Sequence, residues 1–250
     1  MSAPETMLEV SGVSKYFGGV VANEDISLSV RKGEIVGLIG PNGSGKSTLF
    51  GSICGSHPID KGSIRYCGVE TKTMRTGQIA RLGMVRTFQQ THVYDDMDCV
   101  RNMLISSPVR SNGILSLLHK PNPDDLNRTE ELLEFVGLAS KRHLLAGSLS
   151  FGQQKLLEFA MALMNEPELL LLDEPTAGIN PTLINGLIDR LTQANERFGV
   201  TLFVIEHNMR VMMNLAQQIH VLAAGRLIAS GTQHDIQNDP KVIDAYLGGH

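Results

Sequence analysis

The chain lacks the features that mark disulfide-framed, zinc-binding and nucleic-acid-binding proteins. Cys54, Cys67 and Cys99 are scattered without a CxxC pair, so they predict free thiols rather than a disulfide framework or a zinc site. The net charge of −4 gives no electrostatic reason to expect nucleic-acid binding. The first residues show no signal-peptide pattern, and apolar runs such as residues 169–172 are too short to cross a bilayer. We therefore expect any membrane association to come through a protein partner.

The most informative feature that is present is a glycine-rich segment after a short apolar run. Residues 35–39 predict a buried strand, and a helix is expected to start at Thr48. The pattern between them fits a phosphate-binding loop, whose glycines let backbone N–H groups approach phosphate oxygens. Lys46 would add a charge for the β and γ phosphates, and Ser47 a hydroxyl for Mg²⁺. The predicted nucleotide-binding residues of this loop are Gly40, Pro41, Asn42, Gly43, Ser44, Gly45, Lys46, Ser47 and Thr48.

Strand and helix patterns divide the chain into three parts. Alternation of apolar and polar residues predicts antiparallel strands near the N-terminus, at 8–13 and 26–30. Between about residues 91 and 165 strand signals vanish and helical spacing dominates, as at 129–135. Strands alternating with helices elsewhere predict a largely parallel sheet with helices on its faces. The further predicted strands and helices are strands at 64–67, 84–88, 169–172, 202–205, 219–222 and 227–229, and helices at 78–82 and 240–247.

A second motif supplies the acidic groups that a phosphate loop needs for hydrolysis. The apolar strand at 169–172 ends in two adjacent carboxylates, Asp173 and Glu174. Side chains alternate along a strand, so we expect the two carboxylates to point in different directions. Asp173 could then face Mg²⁺ while Glu174 faces the attacking water.

The segment 149–153, Leu-Ser-Phe-Gly-Gln, precedes a helix expected near Gln154. It resembles the LSGGQ signature of ABC-transporter ATPase domains, and the order of all the motifs agrees over nearly the whole chain. The resemblance implies that Ser150 and Gly152, with Gln153 in the same cofactor-binding set, meet the γ-phosphate held by the loop of a second subunit. A helix N-terminus aimed at an anion suits that role.

Further positions match this family residue by residue. Gln89 resembles the Q-loop glutamine, which touches Mg²⁺ or water and senses the membrane partner; Gln90 beside it leaves a one-residue slip open. His207 resembles the switch histidine that contacts the γ-phosphate. Phe17 resembles the aromatic residue that stacks on adenine, with Tyr16 and a core-packing role as alternatives.

Two departures from the family pattern narrow the resemblance. Phe151 replaces the first signature glycine, and Asn180 stands where many relatives have aspartate. Together with residues 239–248, they resemble LivG-type ATPase subunits of branched-chain or neutral amino-acid importers. A lipopolysaccharide-export ATPase is one alternative. The other is a soluble ABC ATPase acting on nucleic acid or ribosomes, which usually carries two ATPase domains or a long coiled-coil insert that this chain lacks.

The resemblance implies an α/β fold with a P-loop NTPase (RecA-like) core, an antiparallel β subdomain and an inserted helical subdomain. The expected boundaries are 1–90 and 166–250 for the core and 91–165 for the insert. It further implies an ATP-hydrolysing motor subunit that uses ATP and Mg²⁺. The expected partners are a second ATPase subunit (a copy or a paralogue), membrane permease subunits and, indirectly, a periplasmic substrate-binding protein, with no nucleic acid. The expected location is the cytoplasmic face of the inner membrane. The cargo and the role of residues 106–124 are left open.

Overall fold

The computed structural model describes residues 5–87, 93–108 and 122–247 of the chain. These form two compact units. The first contains Met1–Arg86, Glu168–Pro175 and Leu191–His250, and the second contains Thr87–Pro167 and Thr176–Arg190. The domain boundaries drawn from the sequence stay a prediction. No helix in the described ranges is long and apolar enough to cross a membrane.

The strands of the first unit build two sheets. An antiparallel sheet has the order β2-β1-β4-β5, and a six-stranded sheet has the order β10-β9-β3-β8-β7-β6. In the second sheet every neighbouring pair is parallel except β9 with β10, so the prediction of a largely parallel sheet is confirmed. The strands are β1 (Thr6–Phe17), β2 (Val20–Arg31), β3 (Ile35–Ile39), β4 (Lys61–Tyr66), β5 (Val69–Glu70), β6 (Met84–Arg86), β7 (Leu169–Asp173), β8 (Thr201–Ile205), β9 (Gln218–Ala223) and β10 (Arg226–Gly231).

The central strands explain where the site lies. All residues of β3, β7 and β8 are buried, as expected for continuous apolar strands covered on both faces. Parallel strands present their carboxyl ends at one edge of the sheet, where ligands bind in open α/β folds. The loop after β3 and the acids at the end of β7 therefore meet at one edge.

The helices are α1 (Lys46–Ile53), α2 (Thr76–Arg81), α3 (Cys99–Ile105), α4 (Pro123–Phe135), α5 (Phe151–Leu163), α6 (Pro181–Phe198), α7 (Met209–Leu215), α8 (Gln233–Gln237) and α9 (Pro240–Leu247). Helices α3, α4 and α5 belong to the second unit. The prediction of helical structure between residues 91 and 165 is confirmed over the described residues, which also contain one isolated β-bridge between Asp98 and Leu145.

Several element boundaries differ from those predicted, and the reasons are local. The predicted strands 8–13 and 26–30 are parts of the twelve-residue strands β1 and β2, because register shifts along β1 interrupt the period-two pattern. Helix α4 begins earlier than predicted, with Pro123 in its first turn and the side chain of Asn122 capping it. Strand β6 ends at Arg86, and residue 88 of the predicted strand lies outside the described residues.

Candidate active site

The loop after β3 has the backbone of a phosphate-binding loop and requires its glycines. Gly40 and Gly45 have φ angles of 153° and 99°. A Cβ at Gly40 would lie 2.0 Å from the carbonyl oxygen of Leu222, and one at Gly45 would lie 2.2 Å from that of Ala22. Gly43 also has a positive φ, of 77°, but a Cβ added there would meet no atom within 4 Å. The two outer glycines are therefore fixed by both conformation and space.

Lys46 is folded back over this loop. Its Nζ donates hydrogen bonds to the carbonyl oxygens of Gly40, at 2.8 Å, and Pro41, at 3.0 Å. Burial lowers the pKa of Lys46, while the carboxylates of Glu174 and Asp173 act in the opposite direction. The loop lysine therefore lies close enough to the two predicted acids for their charges to act on it.

Helix α1 begins at Lys46, two residues before the predicted start at Thr48. The prediction was wrong because the glycine-rich pattern hides the first helical turn, whose N-cap is the left-handed Gly45. Ser47 and Thr48 therefore lie in the first turn of α1 together with Lys46. The hydroxyl of Ser44, by contrast, is buried and has no hydrogen-bond partner. A buried hydroxyl without a partner is suited to form a hydrogen bond with a ligand in the loop.

The two carboxylates at the end of β7, those of Asp173 and Glu174, have different surroundings. Asp173 is the last residue of the strand and is 4% exposed. Glu174 follows in the left-handed region at φ 50°, and its backbone N–H donates to the carbonyl of Ile205. The expected divergence of the two side chains stays a prediction, and the left-handed turn at Glu174 replaces simple strand alternation at this point. A left-handed non-glycine residue stores strain that is common at functional sites.

His207 lies beside Glu174 at the end of β8. Its Nδ1 is 3.8 Å from a carboxylate oxygen of Glu174 and 4.0 Å from one of Glu206. About half of the His207 side chain is exposed, whereas Glu206 is fully buried. The structure thus places the predicted histidine and the predicted general base together. Glu206 was not predicted, since one acid after an apolar strand carries no distinguishing signal.

Arg86 is a second residue that the sequence pattern did not reveal. Its Nη2 donates to Oδ2 of Asp173 at 2.7 Å, and only 13% and 4% of the two side chains are exposed. The pairing depends on β6 lying next to β7 in the sheet. No local pattern in the sequence marks that neighbour relation.

Phe17 ends β1 with 49% of its surface exposed, so the structure does not support a core-packing role. Its ring centroid is 5.5 Å from that of His57, and Nζ of Lys15 lies 5.0 Å from the Phe17 centroid. His57 contacts the carbonyl oxygen of Thr48 through Nε2 at 3.0 Å, and burial lowers its pKa. The exposed ring of Phe17 therefore lies against His57 and Lys15. Tyr16 is half-buried.

The signature-like segment belongs to the second unit. Helix α5 begins at Phe151 rather than near Gln154, so the predicted start was wrong by three residues. Ser150 is the N-cap: its Oγ accepts from the backbone N–H of Gln153 at 3.4 Å, and Oε1 of Gln153 accepts from the N–H of Ser150 at 3.1 Å. This capping box was present in the sequence as Ser-x-x-Gln. Ser150, Gly152 and Gln153 together form the start of a helix.

Phe151, which departs from the signature, is accommodated by a neighbouring glycine. Gly178 has a φ of 74°, and a Cβ there would lie 2.9 Å from the Phe151 ring. A Cβ on Gly152 would lie 3.1 Å from Leu183. The larger residue at position 151 therefore packs against the segment that contains Asn180. Gln89, predicted to contact metal or water, lies outside the described residues, as does Gln90.

Comparison with known proteins agrees with this geometry. Residues 23–177 match the family model described as ABC transporter, and residues 226–250 match the model described as branched-chain amino acid ATP-binding cassette transporter. The chain is 36% identical to LivG of Escherichia coli K12, a high-affinity branched-chain amino acid transport ATP-binding protein, over 99% of both chains. It has the same identity and coverage with BraF of Pseudomonas aeruginosa, which has the same description.

Solved structures show the same relationship. The ADP conformation of an ATP-binding cassette of an ABC transporter superposes with a TM-score of 0.87 and 32% identity, covering 97% of this chain and 99% of that one. A nucleotide-free ATP-binding cassette from an ABC transporter gives a TM-score of 0.86 at 32% identity and the same coverage. The predicted P-loop ATPase fold is confirmed. The chain belongs to the ABC transporter family and is an ATP-binding, ATP-hydrolysing subunit of it.

Proposed function

We propose that this protein is the motor subunit of an importer for branched-chain or other neutral amino acids. The catalytic part of the proposal rests on one observation. A buried lysine in a phosphate loop lies within range of the charges of the Asp173 and Glu174 carboxylates. The cargo class is supported by the match of residues 226–250 to the branched-chain amino acid model and by the LivG and BraF relatives.

The residues at the sheet edge fit a magnesium–nucleotide complex. No group of three or more His, Cys, Asp or Glu side chains in the described parts of the chain could hold a metal ion by itself. Mg²⁺ with ATP needs no such group, since it is bound through a few hard oxygen ligands together with substrate phosphates and water. The hydroxyl of Ser47 and the carboxylate of Asp173 supply oxygens of this kind, and Gln89 is proposed as a third contributor. When bound, the metal would neutralise charge that develops on the phosphates.

The side chains of the first unit then have distinct roles. The loop from Gly40 to Thr48 cradles the phosphates, and Lys46 exchanges its bonds to loop carbonyls for bonds to phosphate oxygens. Glu174 orients the attacking water and accepts its proton. His207, next to Glu174, contacts the γ-phosphate. Phe17 stacks on adenine, which its exposed ring allows.

The signature residues would act on a second subunit. Ser150, Gly152 and Gln153 lie in the first turn and cap of α5, where backbone N–H groups and the helix dipole favour an anion. We propose that they contact the γ-phosphate bound by the loop of a partner ATPase, either a copy or a paralogue. Two such pockets would close head to tail, and hydrolysis would release the closed state.

Closure would be coupled to membrane permease subunits at the cytoplasmic face of the membrane, and a periplasmic binding protein would deliver the cargo. This coupling would be reciprocal. If one conformation of the permease stabilises the closed pair of ATPase subunits, nucleotide that closes the pair must stabilise that conformation of the permease. The path proposed for this coupling is the segment around Gln89.

The catalytic assignment is tested by Glu174→Gln. This variant should bind Mg²⁺-ATP, lose turnover by at least about a hundredfold as expected for a lost general base, and accumulate as a dimer on a sizing column with ATP. Glu168→Gln is the matched control, because Glu168 directly precedes the other end of the same strand and forms an exposed pair with Lys32. Turnover by Glu174→Gln at the parental rate would show that the assignment is wrong.

The cargo class requires a separate experiment in cells. Uptake of radiolabelled leucine should disappear when Lys46→Ala replaces the native chain, because this change weakens nucleotide binding itself. Glu168→Gln should leave uptake intact. Normal leucine uptake with Lys46→Ala, together with lost lipopolysaccharide export, would replace the proposed importer by an exporter.

A further inference from the structure

The guanidinium of Arg86 lies between the proposed metal ligand and the helix that carries the phosphate loop. Its Nη2 is 2.7 Å from Oδ2 of Asp173. Its central carbon is 6.0 Å from the ring centroid of Phe50, a fully buried residue of α1. With only 13% of Arg86 and 4% of Asp173 exposed, water does little to screen this pair. The carboxylate of Asp173 is therefore already paired with a positively charged side chain of the protein.

This ion pair lies where the chain passes from the first unit to the second. Strands β6 and β7 are parallel, with Arg86 opposite Leu171. Arg86 is the last residue of the first unit before the chain enters the second. Asp173 precedes the next such passage, at Pro175–Thr176, by two residues. The pair therefore joins the two strand ends from which the chain leaves the first unit.

Nucleotide binding changes the charge balance at this pair. Without a cation, Asp173 is a buried carboxylate, and a buried charge without a partner is strongly destabilising. Arg86 removes that cost. When a divalent cation approaches the same carboxylate, the guanidinium and the metal repel each other, and Lys46, on which Asp173 also acts, adds to the positive charge.

We propose that Arg86 is the resident counterion of Asp173: it neutralises the carboxylate in the nucleotide-free protein and opposes Mg²⁺ there, so that metal binding is transmitted to the last residue before the second unit. This inference rests on the proposed assignment of Asp173 as a metal ligand. Arg86 is a positioning residue and makes no contact with the reacting atoms.

The test is the Mg²⁺ dependence of nucleotide binding, measured by calorimetry with a non-hydrolysable ATP analogue over a series of free Mg²⁺ concentrations. Arg86→Gln should lower the half-saturating Mg²⁺ concentration by about tenfold, the size expected when one positive charge is removed from about 5 Å beside a divalent cation even at the dielectric of water. Arg86→Lys keeps the charge and should stay within about threefold of the parent, by the same reasoning. Arg65→Gln is the matched control, since Arg65 forms an exposed pair with Glu70.

A midpoint for Arg86→Gln that is unchanged or higher overturns the inference, because it shows that Arg86 does not oppose the metal. If the parent protein itself shows no Mg²⁺ dependence, the proposed metal site fails first. The two failures are therefore distinguishable.

A second measurement needs no stable Arg86→Gln protein. The Nε–Hε NMR signal of Arg86, assigned by its loss in Arg86→Lys, should shift when the parent binds the analogue with Mg²⁺. With the analogue and EDTA it should shift much less. A signal that responds equally in both conditions contradicts the proposal.

Discussion

Adding a methyl group at Gly45 tests whether the phosphate loop is fixed by space as well as by backbone conformation. Gly45→Ala places a Cβ 2.2 Å from the carbonyl oxygen of Ala22 and 2.6 Å from Nδ2 of Asn23. Gly43→Ala in the same loop meets no atom within 4 Å. Both residues have positive φ, so the two substitutions share the strain of a left-handed alanine.

The magnitudes separate the two variants. The left-handed conformation costs about 1–2 kcal/mol for a residue with a Cβ, and this is the whole expected loss for Gly43→Ala. Gly45→Ala must also displace strand β2 or the loop, and overpacking of this kind costs a further ~1–3 kcal/mol. The free energy of unfolding should therefore fall by about 2–5 kcal/mol for Gly45→Ala.

The assay is urea unfolding without nucleotide, with affinity for Mg²⁺-ATP measured beside it. Asn23 also donates a hydrogen bond to the Gly45 carbonyl at 3.1 Å, so displacement of Asn23 breaks a partly buried hydrogen bond as well. Equal losses of stability for the two alanine variants would show that the collision at Gly45 carries no cost.

Two further predictions concern the nucleotide base and the pH dependence of stability. Phe17→Ala should weaken ATP binding by about fivefold to tenfold, the size of one lost stacking contact, while affinity for inorganic triphosphate stays unchanged in the same titration. His220 hydrogen-bonds Ser230 at 2.8 Å and burial lowers its pKa. The unfolded chain therefore takes up a proton below pH 6.5 that the folded chain refuses, and stability should fall on acidification by at most about 1.4 kcal/mol per pH unit for this group. Urea unfolding between pH 7.5 and 5.5 should show a shallower fall for His220→Gln, and an identical slope would exclude His220 as a contributor.

Elements with strong local signals were predicted well from the sequence. Strand β3 has the predicted bounds, and α9 spans the predicted residues 240–247. The loop lysine, Asp173, Glu174 and His207 lie at or beyond the carboxyl ends of apolar strands that finish at one sheet edge. Parallel strands are recognisable as continuous apolar runs, so this part of the site is encoded locally.

Other features depend on relations that a local pattern does not carry. The left-handed turn at Glu174 is one, since nothing in a pair of acids specifies the sign of φ. The Arg86–Asp173 pair is another, because it requires β6 to lie beside β7, which are separated along the chain by most of the second unit. The early starts of α1 and α5 were obscured by the glycines and polar residues of their first turns.

Each nucleotide pocket is proposed to need residues from two subunits, and mixing two inactive variants tests this requirement. Lys46→Ala removes the loop half and Ser150→Arg the signature half, so each variant alone should show almost no ATPase activity. Mixed in equal amounts, they can form pairs with one intact pocket, and activity should reappear at about a quarter of the parental rate, since half of the pairs are mixed and each holds one pocket of two. A mixture that stays as inactive as its components, while the parental protein hydrolyses ATP under the same conditions, would contradict a pocket built from two subunits.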